Sequence, residues 1–162
     1  MIEEFNTNSK IEYCWLLEFL NGNVDYDFYY THKNSRIYIS DFKSLKNFLR
    51  QSERVFTLKE NGMYVGIILV WKSFGGGKNR YYIKLNAKDA RVARNLLTVL
   101  LWNTERKLFV KVRKDSPFLS VFKTKGFKFI AGRGIQTLLC RKPLKTDKIQ
   151  KNLNKENNNV WY

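Results

Sequence analysis

Histidine occurs once in the 162 residues, at His32, and cysteine twice, at Cys14 and Cys140. That scarcity excludes the usual zinc ligand sets and a Cys–His nucleophile pair, which need several such side chains or an adjacent base. No metal is expected. Two cysteines far apart in apolar surroundings read as reduced thiols of a reducing compartment, and so as a cytoplasmic chain. No apolar run reaches the roughly 18 to 20 residues that cross a bilayer. The opening Met1-Ile2-Glu3-Glu4-Phe5 is acidic and has no signal-peptide core. No membrane partner is expected.

Positive charge is abundant. Thirty Lys and Arg stand against fourteen Asp and Glu, a formal net charge of +16. The excess is one-sided: residues 1–60 hold eight basic and nine acidic side chains, residues 61–162 twenty-two and five. Such asymmetry points to an anionic partner, whether nucleic acid, a phosphate-rich cofactor or an acidic protein. Hydrophobic residues at 44 % and aromatics at 15 % suffice for one folded domain, expected over residues 1–142. Residues 143–162 are Asn- and Lys-rich and cannot bury enough to order themselves, so they read as a flexible basic tail.

Along the chain, residues 1–9 read as a loose arm. Trp15, Leu16, Phe19 and Leu20 share one face of a helix from Lys10 to Asn21 that Gly22 stops. Val24 to Tyr30 is a strand or an aromatic loop, and Arg36 to Ile39 a short strand. Asp41 or Ser44 caps a helix reaching Arg50. Val55–Lys59 and Met63–Trp71 form a hairpin around Asn61-Gly62, the strongest short turn signal. The glycines at 75–77 precede Lys78 but open no helix, so they mark a hairpin tip rather than a phosphate loop.

Next come a strand from Arg80 to Leu85 and a helix from Asn86 to Thr104. A strand at Lys107–Arg113, a helix at Ser116–Lys125, Gly126-Phe127 with a short strand, and a strand at Ile135–Arg141 follow. This order, ending its second helix in Lys125-Gly126-Phe127, resembles the C-terminal half of the GNAT superfamily of N-acetyltransferases over residues 55–141. The resemblance implies an α/β (α+β) fold: a mixed, mostly antiparallel central sheet flanked by helices. It also implies acetyl-CoA or another acyl-CoA as cofactor. The family's Gln/Arg-x-x-Gly-x-Gly/Ala loop, whose amides meet the pyrophosphate, corresponds to Lys88, Asp89, Ala90, Arg91, Val92 and Ala93, with Arg91 in place of the first glycine. Phe122 takes the position of the family's acidic tyrosine, which leaves Tyr81 and Tyr82 as substitutes. A purely structural reading of the same loop has Asn86 capping the helix and Asp89 favouring its dipole.

Three functions remain open. One is an acyl-CoA-dependent N-acyltransferase acting on or near nucleic acid. Another is a non-catalytic binder holding DNA or RNA phosphates through Arg80, Lys84, Arg91, Arg94, Lys111, Arg113 and, in the tail, Lys145, Lys148 and Lys151. The third is a DNA-modifying protein similar to the phage Mom proteins, which the Lys- and Asn-rich, proline-poor composition of an AT-rich genome would suit.

Overall fold

The computed structural model describes residues 1–75 and 78–143. The tail from 144 onward, with Lys145, Lys148 and Lys151, and the hairpin tip at 76–77 lie outside the described residues. The elements run β1 (Ile2–Glu4), α1 (Lys10–Gly22), β2 (Tyr29–His32), β3 (Ser35–Tyr38), α2 (Phe42–Arg50), β4 (Ser52–Glu60) and β5 (Met63–Gly75). Then come β6 (Lys78–Ala87), α3 (Ala90–Trp102), β7 (Leu108–Arg113), α4 (Leu119–Thr124), β8 (Lys128–Arg133) and β9 (Gln136–Arg141).

Local signals set most boundaries. Asp41 accepts the Ser44 backbone N–H at 2.7 Å while the Ser44 hydroxyl takes the Asp41 N–H, a reciprocal box that starts α2. Asn61 and Gly62 both have positive φ, 52° and 74°, as a tight hairpin between β4 and β5 requires. Gly126 (φ 90°) ends α4 with its left-handed turn, and Phe127 N–H bonds back to the Phe122 carbonyl at 3.1 Å.

Seven strands form one sheet in the order β1-β4-β5-β6-β7-β9-β8, with β2 and β3 as a separate hairpin. Every neighbouring pair is antiparallel except β6 and β7. The mixed, mostly antiparallel sheet expected from the sequence is therefore present. Residues 1–4 are not a loose arm: they pair with β4 at Ile2↔Leu58 through Glu4↔Phe56 and supply the edge strand.

Two cores lie on opposite faces of the sheet. On one, α3 and α4 place Val92, Leu96, Leu97, Leu100, Val121 and Phe122 against Ile68, Val70, Ile83 and Leu85. On the other, Leu16 and Leu20 of α1, Leu45 and Phe48 of α2, Phe28 just before the hairpin and Tyr30 within it cover Ile67, Leu69 and Trp71. The charge asymmetry becomes spatial: residues 1–60 build the β1–β4 edge, later residues the β7–β9–β8 edge.

A bulge in β5 fixes where α3 begins. Leu58 pairs with Gly66 but Lys59 with Tyr64, so Val65 has no partner in β4. Its carbonyl lies where the Lys88 N–H donates to it at 2.9 Å, just before α3. The neighbouring Gly66 lets the helix sit directly on the strand. A Cβ there would lie 2.6 Å from Val92 Cγ1 and 2.7 Å from Leu96 Cδ1, both fully buried. Gly66→Ala is expected to lower stability by about 1–3 kcal/mol, as overpacked cores do. An unchanged urea-unfolding midpoint would show instead that α3 shifts freely.

Candidate functional site

β6 and β7 are the one parallel pair among the described residues, and their register holds at a single position, Tyr82↔Phe109. Beyond it Ile83 and Leu85 on one strand and Val110 and Val112 on the other flank a gap, filled until a space of only ≈ 10 Å³ remains. Phe118 and Phe122 enter from the α4 side, and Asp25 and Asp27 from the loop between α1 and β2.

That loop is stitched to both parted strands. The Asn23 side-chain amide donates to Asn86 Oδ1 and to the Ala87 carbonyl, and Asn86 Nδ2 returns a bond to the Asn23 carbonyl at 3.0 Å. Asp27 accepts the Arg113 backbone N–H at 3.1 Å and the Gln136 side chain at 3.4 Å. Backbone groups that lose a strand partner at the parting thus regain one.

At the mouth of the gap lies a cleft of ≈ 570 Å³, bordered by Lys88, Asp89 and Ala90 on one side and Arg113, Asp115 and Ser116 on the other. The helix α3 points its N-terminus into this cleft. Asp89 Oδ1 caps the Val92 N–H at 2.9 Å, but the N–H groups of Ala90 and Arg91 have no acceptor among the described residues. Two open amides at the positive end of a 13-residue helix are donors an anion in the cleft could engage.

Carboxylates surround it. Glu60, at the end of β4, accepts from Lys88 Nζ at 2.6 Å and from the Arg91 guanidinium. These two hydrogen bonds, first Lys88 and then Arg91, hold the Glu60 carboxyl down at about 2. Asp115 takes the Arg113 guanidinium in two bonds of 3.0 and 3.1 Å. Burial raises the pKa of Asp25, against the opposing hydrogen bond from the Asp27 N–H.

Of the Lys88–Ala93 stretch, Lys88 and Asp89 connect β6 to α3 and Ala90 to Ala93 form the first turn of the helix. Lys88, Asp89 and Ala90 line the cleft, Arg91 reaches out to Glu60, and Val92 and Ala93 are fully buried beneath the helix. Asp89, not Asn86, is the cap of α3; Asn86 belongs to β6 and is spent on Asn23. Tyr81 and Tyr82 point to opposite faces: Tyr81 lies under the Arg106 guanidinium, 4.1 Å away, while Tyr82 packs on Phe109 where the strands part. Phe122 is buried edge-on against Phe127.

The six basic residues singled out within the domain do not form one surface. Arg91 and Arg94 stand on α3, Arg113 is tied to Asp115, and Arg80 and Lys111 lie over Phe109 and Tyr82 on the opposite face. Lys84 is not a surface residue at all. Only 8 % exposed, its ammonium sits 4.3 Å from the centre of the Tyr29 ring and makes no hydrogen bond or ion pair among the described residues. Burial first, then the charge of Lys111, lowers its pKa to about 8, against a smaller opposing pull from Asp27. The alternation Tyr82-x-Lys84-x-Asn86 marks a polar strand face, but nothing in the sequence says that Tyr29 covers it.

No protein-family model matches the chain, and no curated protein matches it in sequence. Solved structures match it throughout. A ribosomal-protein-alanine N-acetyltransferase from Brucella melitensis superposes with a TM-score of 0.64 at 15 % identity, over 89 % of this chain and 99 % of that one. A Salmonella typhimurium protein, solved with its cofactor acetyl-CoA, gives 0.65 at 16 % identity over 90 % and 94 %. An acetyltransferase of the GNAT family from Streptococcus pneumoniae gives 0.63 at 14 % identity over 87 % and 97 %. The chain has the GNAT fold.

A lysine held below its ordinary pKa opposes folding while it must be charged. Between about pH 8 and 10.4 the unfolded chain binds more protons at Lys84, so its contribution to stability rises with pH across that window. Lys84→Met is expected to stabilise the protein near neutral pH by roughly 2–3 kcal/mol. It should also flatten the rise between pH 8 and 10 in urea unfolding. An unaltered pH profile would mean that Lys84 reaches water.

Proposed function

We propose that the protein is an acyl-CoA-dependent N-acyltransferase that acts on or near nucleic acid. The observation carrying this reading is the pair of open amides, Ala90 and Arg91, at the start of α3, facing a cleft where the only parallel strands among the described residues part. Residues that fit a pyrophosphate are present: two N–H donors, the helix dipole, and Lys88 and Arg91 beside them. Glu60 competes for those two cations, but its side chain is 30 % exposed and theirs 41 % and 56 %. Such exposed pairs are screened by solvent and contribute little, so exchanging Glu60 for phosphate is cheap. Arg91, where a glycine is usual, leaves the amides uncovered because its side chain runs to Glu60.

Bound acyl-CoA supplies an acyl group activated as a thioester. An acceptor amine attacking that carbonyl must lose a proton, and Lys84, on the parting strand and neutral in part near its lowered pKa, takes it once the Tyr29 ring that covers it moves aside. Tyr82, two residues earlier on the same face, stands nearest the vertex, and its hydroxyl can return a proton to the departing thiolate. Tyr81, turned to the other face, has no part. The acceptor is placed near nucleic acid by the basic half of the chain.

A second reading, a non-catalytic binder that kept the fold, draws on the ≈ 10 Å³ left between β6 and β7 and on the loop stitched across them. Acyl transfer requires that the Asn23–Asp27 loop yield; a binder leaves it in place.

Ala90→Pro separates the two readings. Proline suits the first helical position and removes only the N–H. Calorimetry should show acetyl-CoA binding by the wild-type protein, weakened about tenfold or more by this change, the scale of a hydrogen bond to a charged group. Glu60→Gln should tighten binding severalfold by releasing Lys88 and Arg91. Absence of binding in wild type and Glu60→Gln alike overturns the acyltransferase reading in favour of the non-catalytic one.

A further inference from the structure

The sheet face that carries α1 and α2 is covered unevenly. The helices lie over β4 and β5, and the β2–β3 hairpin puts Tyr29 over Lys84 of β6. Past the hairpin, over β7, β9 and β8, no helix lies on this face among the described residues. There the surface is a groove of ≈ 540 Å³ with Tyr29 and Arg36 on one wall, Arg133 on the other, and Lys111, Gln136 and Leu138 on the floor. Three cations line it and no carboxylate does; Asp27 lies at its end, engaged by Gln136. The basic track continues along the floor, where Lys111 lies over Tyr82 at 5.2 Å, and Arg80 and Lys107 lie over Phe109 at 5.0 and 5.3 Å.

We infer that this groove holds a single strand of nucleic acid, its phosphates on Arg36, Lys111 and Arg133 and its bases against exposed guanidinium planes such as that of Arg36, which lies over the Tyr29 ring at 4.7 Å. The inference rests on the nucleic-acid part of the function proposed above and gives it a place. Charge complementarity selects a polyanion, and planar guanidinium groups, Arg36 over Tyr29 and Arg133 opposite, select one that carries flat bases to stack on them. Width selects one strand. The hairpin wall lies over β6 and Arg133 stands on β8, three strand spacings or about 14 Å apart between backbones; side chains from both walls narrow that to the room of one extended strand, less than a duplex whose major groove alone is about 12 Å wide. The groove also opens on the same face as Lys84 and Tyr82, so a strand lying in it runs past the vertex where β6 and β7 part. The α3 arginines, on the opposite face, have no place in it.

The test is fluorescence anisotropy of the full chain with a labelled 20-nucleotide oligothymidine, a 20-base-pair duplex and polyglutamate, over a range of salt. The variant Arg36→Ala/Lys111→Ala/Arg133→Ala is compared with Lys43→Ala/Arg50→Ala/Lys123→Ala, which removes the same charge elsewhere. Both are first required to unfold like wild type. The groove variant should bind the oligothymidine at least tenfold more weakly, and the slope of log affinity against log salt should shrink by about 2, from about 0.7 per phosphate contact. The control should change less than threefold. Equal losses in the two variants, or tighter binding of duplex or polyglutamate than of the single strand, would overturn the assignment. Oligothymidine binding indifferent to the groove variant would overturn the groove alone, leaving the acetyl-CoA titration to decide the acyltransferase reading independently.

Discussion

Two parallel strands that meet at one rung govern the rest of this molecule. Where β6 and β7 separate, each presents backbone groups with no strand opposite, and buried groups of that kind must be satisfied. The chain meets the demand with side chains rather than a third strand: Asn23 bonds to the end of β6 and Asp27 to the end of β7. Phe118 and Phe122 close the gap from below. The same parting aims α3 at the mouth of the gap, because β6 runs directly into that helix with only Lys88 and Asp89 between them. Site and fold are therefore one problem. A change that made β6 and β7 pair further would remove the cleft along with the need for the loop.

The start of α3 shows competing local and distant demands. Within α3, Asp89 spends one amide on its own cap and leaves the next two open, which is the arithmetic of any helix start. From outside, the β4–β5 turn delivers Glu60 to Lys88 and Arg91. The cap is structural and firm. The Glu60 pairs are exposed, and their small worth makes them replaceable by a better anion.

What the sequence revealed follows from range. Asn61-Gly62, the Asp41–Ser44 cap and Gly126 act within a few residues, and each was legible; so was the strand and helix order of residues 55–141. Unread features were long-range. Nothing in Met1–Phe5 announces a strand, because its partner Phe56–Leu58 is more than fifty residues away. Asn86 carries the chemistry of a cap, yet Asn23, 63 residues distant, claims it. Lys84 looks like one more surface cation until Tyr29, from a hairpin that alternates ambiguously, closes over it. Asp25 and Asp115 were hidden for the same reason, since they border one cleft only in the fold.

The sheet order turns an unequal sequence into an electrical object. Acidic side chains concentrate in the segments that build the β1–β4 edge and basic ones in those that build the β7–β9–β8 edge. The molecule is consequently a dipole with its axis across the strands. In the field of a polyanion it feels a torque before any contact forms, and it arrives basic edge foremost. That preference extends only about a Debye length, ~8 Å at physiological salt, so it acts on the final approach, when orientation decides whether an encounter is productive.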